Sequence, residues 1–200
     1  MLRLIFLRKI LAHKTATILI RKRWQQAKKK MRILNIILLL TFISCQSQNC
    51  DCEGFIDWES NRIIDIYSDS DGKTKISELQ NDIENENFLM FKILESNKEY
   101  FKVEIGRAMT EKRIVGWIKK IKEIAVYDRN YSDSETLNLY TEPNLESKIK
   151  SKITEYQTEY YTIKDCKGKW IYAYREKDGK IIEGWLEQTM QCPNPYSTCN

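Results

Sequence analysis

Apolar positions along this chain gather in short runs separated by polar turn residues, and the runs recur. Residues 88–94 and 100–105 are aromatic and β-branched, with Ser96-Asn97-Lys98 between them. Further on, 159–163 and 170–175 flank Asp165-Cys166-Lys167-Gly168, and Asp178-Gly179 separates 170–175 from 181–186. Short aromatic and β-branched runs bounded by turn residues predict strands. Asp178-Gly179 predicts a two-residue hairpin, because a type I′ turn needs positive φ at both central residues. Only 76–84 leaves room for a short helical turn.

The strand pattern occurs twice. Ile64-Asp65-Ile66-Tyr67-Ser68-Asp69 matches Leu137-Asn138-Leu139-Tyr140-Thr141-Glu142 at an offset of 73. Tyr100-Phe101-Lys102-Val103 matches Trp170-Ile171-Tyr172-Ala173 at 70, and Gly116-Trp117-Ile118-Lys119 matches Gly184-Trp185-Leu186-Glu187 at 68. A shrinking offset with unchanged order is what a second copy with shorter loops produces. The glycine before each tryptophan predicts a place where another backbone comes close. Two copies of one all-β unit are therefore expected, at 53–130 and 131–200, with 137–186 holding every strand the repeat defines.

The first 45 residues belong to a different class. Residues 31–45 open on Met31 and Arg32, run through an apolar stretch too short to span a bilayer stably, and end in Ser44-Cys45. That order predicts a secretory signal peptide at 31–44. Phe42-Ile43-Ser44-Cys45 resembles the lipobox of bacterial lipoproteins, with Phe42 where leucine is usual. The resemblance implies acylation of Cys45, cleavage before it, and a lipidated tether over 45–52. Residues 1–30 carry ten Lys/Arg and no acid. They are read as a basic extension, either a long n-region or the product of a wrongly assigned start.

Removing this leader reverses the charge argument. The whole chain is +5, yet residues 46–200 hold 22 Lys/Arg against 28 Asp/Glu, a net charge of −6. No excess of positive charge remains to attract nucleic acid. The single histidine, His13, is in the leader, so the mature chain lacks an imidazole for a nucleophile–base couple or a His-containing metal site. Its acids form no distinctive constellation. No catalytic residue, metal or cofactor is expected.

Outside the cytoplasm disulfides persist. Cys192 and Cys199 bracket the turn-rich Cys192-Pro193-Asn194-Pro195-Tyr196-Ser197-Thr198-Cys199 and are expected to bridge, holding the tail to the second copy. Cys50, Cys52 and Cys166 remain, an odd number whose pairing stays open. Cys50-Asp51-Cys52 is not the C-x-x-C of redox domains.

The second copy resembles bacterial SH3-like (SH3b) domains over about 50 residues. Leu137, Asn138, Leu139, Pro143, Ser147, Lys148, Ile149, Trp170, Ala173, Asp178, Gly179, Gly184 and Trp185 carry the likeness. The first copy is more divergent, with Ser70 in place of Pro143. Both copies have tyrosine, Tyr67 and Tyr140, where arginine is common in the family. The resemblance implies two tandem small β-barrels and a binding module for peptidoglycan or envelope protein and peptide partners, anchored to a membrane through Cys45. Groove residues expected on this reading are Tyr67, Tyr100, Trp117, Tyr140, Tyr172 and Trp185, since tyrosine and tryptophan offer rigid contact area with a polar edge. For Trp117, Trp170 and Trp185 a core role competes. A structural, assembly, inhibitor or immunity-type protein is the alternative class.

Overall fold

A computed structural model describes residues 47–129, 131–132, 134–154, 160–197 and 199; the extension 1–30, the signal segment and Cys45 lie outside the described residues. The described chain is all-β. The first six strands are β1 (Gln48–Ile56), β2 (Ile64–Tyr67), β3 (Lys75–Leu79), β4 (Leu89–Ser96), β5 (Tyr100–Arg107) and β6 (Ile114–Lys119). Then come β7 (Ile124–Asp128), β8 (Leu137–Tyr140), β9 (Ile149–Ile153), β10 (Tyr160–Lys167), β11 (Trp170–Lys177) and β12 (Lys180–Leu186). A 3₁₀ turn, Gln188–Met190, leads into β13 (Gln191–Cys192). Among the described residues no helix is long and apolar enough to cross a membrane. The short helical turn expected within 76–84 is replaced by strand β3, because alternate residues there pair with β2, as in Ile64↔Leu79 and Ile66↔Ser77.

These strands form one antiparallel sheet in the order β3-β2-β6-β5-β4-β1-β7-β10-β11-β12-β8-β9, with β13 paired to β7. Cut between β1 and β7, the two sides have the same order read outward, so the sequence repeat is also a topological repeat. The sheet is continuous and open at β3 and β9, and it is not divided between the copies. β7 sits at the centre. It pairs with β1 through Phe55↔Ala125 and Ile56↔Ile124, with β10 through Val126↔Tyr161, and with β13 through Tyr127↔Cys192. It therefore stands last in the first copy and first in the second. The segment 131–200 lacks this strand, and residues 48–52, within the expected tether, are strand with Gln48 opposite Ser96.

The irregularities repeat as well. The register slips between Ile66 and Tyr67 on β2 and between Leu139 and Tyr140 on β8. It slips again between Ile93 and Glu95 on β4 and between Ile163 and Asp165 on β10. Each extra residue reverses the alternation beyond it. After Ile163 strict alternation would send Asp165 inward; the bulge turns Cys166 inward instead, where it is fully buried. Gly116 and Gly184 lie at matching close approaches. A Cβ on Gly116 would sit 2.4 Å from Ile66 Cγ2 and 2.8 Å from Tyr67 O, and one on Gly184 would sit 2.9 Å from Leu139 Cβ and Tyr140 O. The Asp178-Gly179 hairpin has the expected form, with φ of 52° and 71° and Lys177 opposite Lys180.

A single apolar core runs through both copies. Ile64, Ile66, Phe91, Ile93 and Val103 from the first join Leu137, Leu139, Ile163, Ile171 and Ala173 from the second. A sixty-residue unit buries too little surface to be robust alone. Sharing a strand and a core is how this chain enlarges what each copy could bury.

Candidate functional site

Among the described residues a concave feature with an aromatic lining lies where the copies meet. A cleft of about 520 Å³ crosses β7, β10 and β11 and is closed on one side by the turn after β1. The volume falls within the range of small-ligand sites. Its aromatic walls are Trp58, Tyr127, Tyr160 and Tyr174, and its polar rim is Glu59, Thr162, Arg175, Glu176 and Lys177.

Strand parity explains the grouping. Tyr160 lies opposite Tyr127 and Thr162 opposite Tyr174, and paired residues share a face. Tyr161 and Ile163, on the intervening phase of β10, point into the core. Phe55 is fully buried beneath Tyr127, with ring centroids 5.0 Å apart. Tyr160 meets the Tyr127 ring edge-on at 6.2 Å. Trp58 is placed by a tight turn in which Ser60 N–H donates to Asp57 O at 2.9 Å. Its indole N–H then donates to Tyr127 Oη at 3.1 Å. Trp58 and Tyr160 each keep 39% of their surface in solvent, so half of this wall is open to a ligand.

The polar atoms of the cleft are held by their neighbours. Tyr160 Oη–H donates to Asp57 Oδ2 at 3.3 Å, Thr162 Oγ1–H to Lys122 O at 2.9 Å, and Tyr174 Oη–H to Glu176 Oε2 at 3.3 Å. Burial, with the carboxylates of Asp57 and Glu59 nearby, pushes the Tyr127 phenol above the ordinary tyrosine range. Burial and Asp57 do the same to Tyr160. Lys164 Nζ lies 4.9 Å from the centre of the Tyr174 ring, and the Arg175 guanidinium lies 5.2 Å from that of Tyr161. Preordered aromatic faces with donors and acceptors of both charges suit a ligand with apolar stretches and both ionic signs.

The matching face of the first copy is different. Register places Met90 where the second copy has Tyr160, and Lys92 where it has Thr162. There a smaller hollow of about 260 Å³ is lined by Glu53, Met90, Phe91, Lys92, Glu104 and Arg113. The duplicated scaffold thus carries an aromatic face on one copy and a charged face on the other.

None of the six aromatic residues singled out from the sequence lines the cleft. They form one cluster per copy instead. Tyr67 pairs with Trp117 across β2 and β6, and the Tyr100 ring meets Tyr67 edge-on at 6.0 Å. In the second copy Tyr140 pairs with Trp185, and the Trp170 ring meets Tyr140 edge-on at 5.7 Å. Tyr172 packs on Trp185 at 5.4 Å, and its hydroxyl accepts a hydrogen bond from Lys150 Nζ at 2.5 Å. Trp117 and Tyr140 are buried; Tyr67, Tyr100, Tyr172 and Trp185 are half-buried. Tyr67 borders a shallow hollow of about 90 Å³ beside Arg62, Asp65 and Lys119. The signal for the cleft in the sequence is that Tyr160 and Tyr174 occupy the solvent-facing phase of their strands, where an aromatic side chain is out of place.

Cys192 and Cys199 form the expected disulfide, with Cα atoms 5.4 Å apart. The tail it bends does not rest only on the second copy. Tyr196 Oη–H donates to Glu86 O at 2.7 Å and accepts from Phe88 N–H at 3.2 Å, and its ring packs on Phe88 at 5.3 Å. The bridge thus turns the tail onto the first copy. Among the described residues no group of three or more His, Cys, Asp or Glu is placed to hold a metal. Comparison with protein-family models, with curated proteins and with solved structures finds no match to this chain.

Proposed function

We propose that this protein is a non-catalytic binding protein of the bacterial cell envelope, anchored through a lipid on Cys45, that grips peptidoglycan in the cleft between two SH3-like copies. The observation that carries the reading is the half-open aromatic wall of Trp58 and Tyr160, backed by Tyr127 and ringed by groups of both charges. Cell-wall stem peptides present carboxylates, an ammonium and short apolar side chains close together, which matches that lining. On this reading each copy is an SH3-like barrel unit, with β7 serving both. The net charge of −6 over 46–200 leaves nucleic acid without an electrostatic attraction.

Sedimentation of the purified chain with isolated cell-wall sacculi tests the proposal. The unaltered chain should co-sediment. Trp58→Ala should weaken binding at least tenfold, the loss expected when an anchoring aromatic is truncated, with an unchanged melting temperature. A chain that stays in the supernatant at every sacculus concentration would refute the ligand, and an unaffected Trp58→Ala variant would refute the site. Cys45→Ser should leave this binding intact while moving the protein out of the membrane fraction, so anchor and cleft are tested separately.

A further inference from the structure

Three thiols unused by the cleft meet at one point on the opposite side of β1. Cys50 and Cys52 come from β1, and Cys166 from the end of β10. The β10–β11 turn brings them together: Gly168 N–H donates to Asn49 O at 2.9 Å and Gly168 O accepts from Asp51 N–H at 2.6 Å, so the turn is bonded to β1 on both sides of Cys50. Cys50 Sγ lies 3.1 Å from Cys166 O. Cys52 Sγ and Cys166 Sγ lie 3.3 Å and 3.6 Å from the same Gly168 O. Cys52 and Cys166 are buried and Cys50 is partly exposed, and all three are free thiols here.

We propose that this cluster is an oxidation site in which Cys166 forms a disulfide with one thiol of the Cys50-Asp51-Cys52 pair, leaving the other as an exchange thiol. Geometry selects Cys166 as the fixed partner. Cys166 Sγ shares Gly168 O with Cys52 Sγ, and Cys166 O lies 3.1 Å from Cys50 Sγ, so each N-terminal thiol has Cys166 as its neighbour across the turn. β1 is bulged between Asn49 and Cys52, and both thiols reach toward the turn that carries Cys166.

The chemistry balances with a small-molecule disulfide as oxidant. Cys50, the accessible thiol, attacks the oxidant as its thiolate, forming a mixed disulfide and releasing one reduced thiolate. Cys166 then loses its proton and attacks the Cys50 sulfur, expelling the second reduced thiolate. Two protein thiols have given up two electrons and two protons, and one oxidant disulfide has become two thiols. Cys52 can next attack the Cys50–Cys166 bond at the Cys166 sulfur, which passes the bridge to Cys52 and frees Cys50. Burial, reinforced by the neighbouring thiols, pushes the Cys166 thiol far above its ordinary range. In the folded chain bridge formation should therefore quicken with rising pH.

The test is differential alkylation and non-reducing peptide mapping of the full chain after equilibration in oxidised and reduced glutathione. The expected product links the Cys166 peptide to the peptide holding Cys50 and Cys52, with one of those two still alkylatable. At equilibrium Cys50→Ser and Cys52→Ser should each hold a bridge to Cys166, Cys50→Ser reaching it more slowly because only buried thiols remain to meet the oxidant, and Cys166→Ser should form no bridge between Cys50 and Cys52. Three free thiols under oxidising buffer, a Cys50–Cys52 link, or a disulfide-linked dimer would overturn the assignment. Loss of the bridge in either single N-terminal variant would overturn the exchange role. The Cys192–Cys199 bridge provides an internal control, since it should be present in every sample.

Discussion

Excising residues 131–200 should yield a chain that does not fold, although it contains β8 to β13. The missing piece is β7. Ile124, Ala125 and Val126 are all fully buried. Burying an isoleucine or a valine contributes about 1.5–3 kcal/mol each, so these two alone supply roughly 3–6 kcal/mol. The strand also closes β10 on one side and β13 on another, and each backbone hydrogen bond adds about 0.5–1.5 kcal/mol net. A core in a unit of this size supplies only about 3–5 kcal/mol in total, less than what removal of β7 takes away. Circular dichroism and thermal melts of 131–200 and of 121–200 measure the difference. The shorter fragment should lack a cooperative transition, and the longer one should recover β-sheet signal and a melt. A cooperative melt of 131–200 equal to that of 121–200 would show that β7 belongs to the first copy alone, and the shared-strand reasoning would fail.

Four further outcomes follow from the same geometry. Tyr140→Ala should destabilise the chain by about 3–5 kcal/mol, as truncation of a buried aromatic does, because Tyr140 is buried and braces Trp170; a melt unchanged from the unaltered chain would return Tyr140 to the surface. Gly184→Ala should cost about 1–3 kcal/mol by overpacking, since its Cβ would press on Leu139 and Tyr140, and a denaturant midpoint at or above the original would refute it. Tyr127 and Tyr160 have phenol pKa values raised above 10.0 in the folded chain, so their stabilising contribution is whole below pH 10 and is lost as pH rises through the raised values. Ultraviolet difference titration should accordingly show Tyr127 and Tyr160, with Tyr67 and Tyr174, among the phenols that ionise late, and unfolding should bring them back to the ordinary range. Replacing Cys192 and Cys199 by serine should cost at most about 2.5 kcal/mol by loop entropy and should raise hydrogen exchange at Phe88 N–H, which Tyr196 now covers.

What the sequence determined by itself is local or self-referential. Aromatic and β-branched residues at 88–94 and 100–105, with Ser96-Asn97-Lys98 between them, specified strands because such side chains fit a pleated, half-buried surface. The Asp178-Gly179 pair specified its hairpin because few residues accept positive φ, and the matched Ile66–Tyr67 and Leu139–Tyr140 stretches revealed the duplication because one fold read twice leaves one pattern twice. Close spacing paired Cys192 with Cys199. The tertiary structure alone decided which neighbours the strands take. The short apolar run of β7, buried at consecutive positions, is silent on whether β1, β10 or β13 lies beside it, so the merging of two expected units into one sheet was not legible. The cleft depends on that choice, since Trp58, Tyr127, Tyr160 and Tyr174 are distant in sequence and become one wall only when β7 sits between the copies. The same holds for Cys166. One bulged residue on β10 reverses its side chain from solvent to core, and a register slip is set by the partner strand, which the local sequence does not contain.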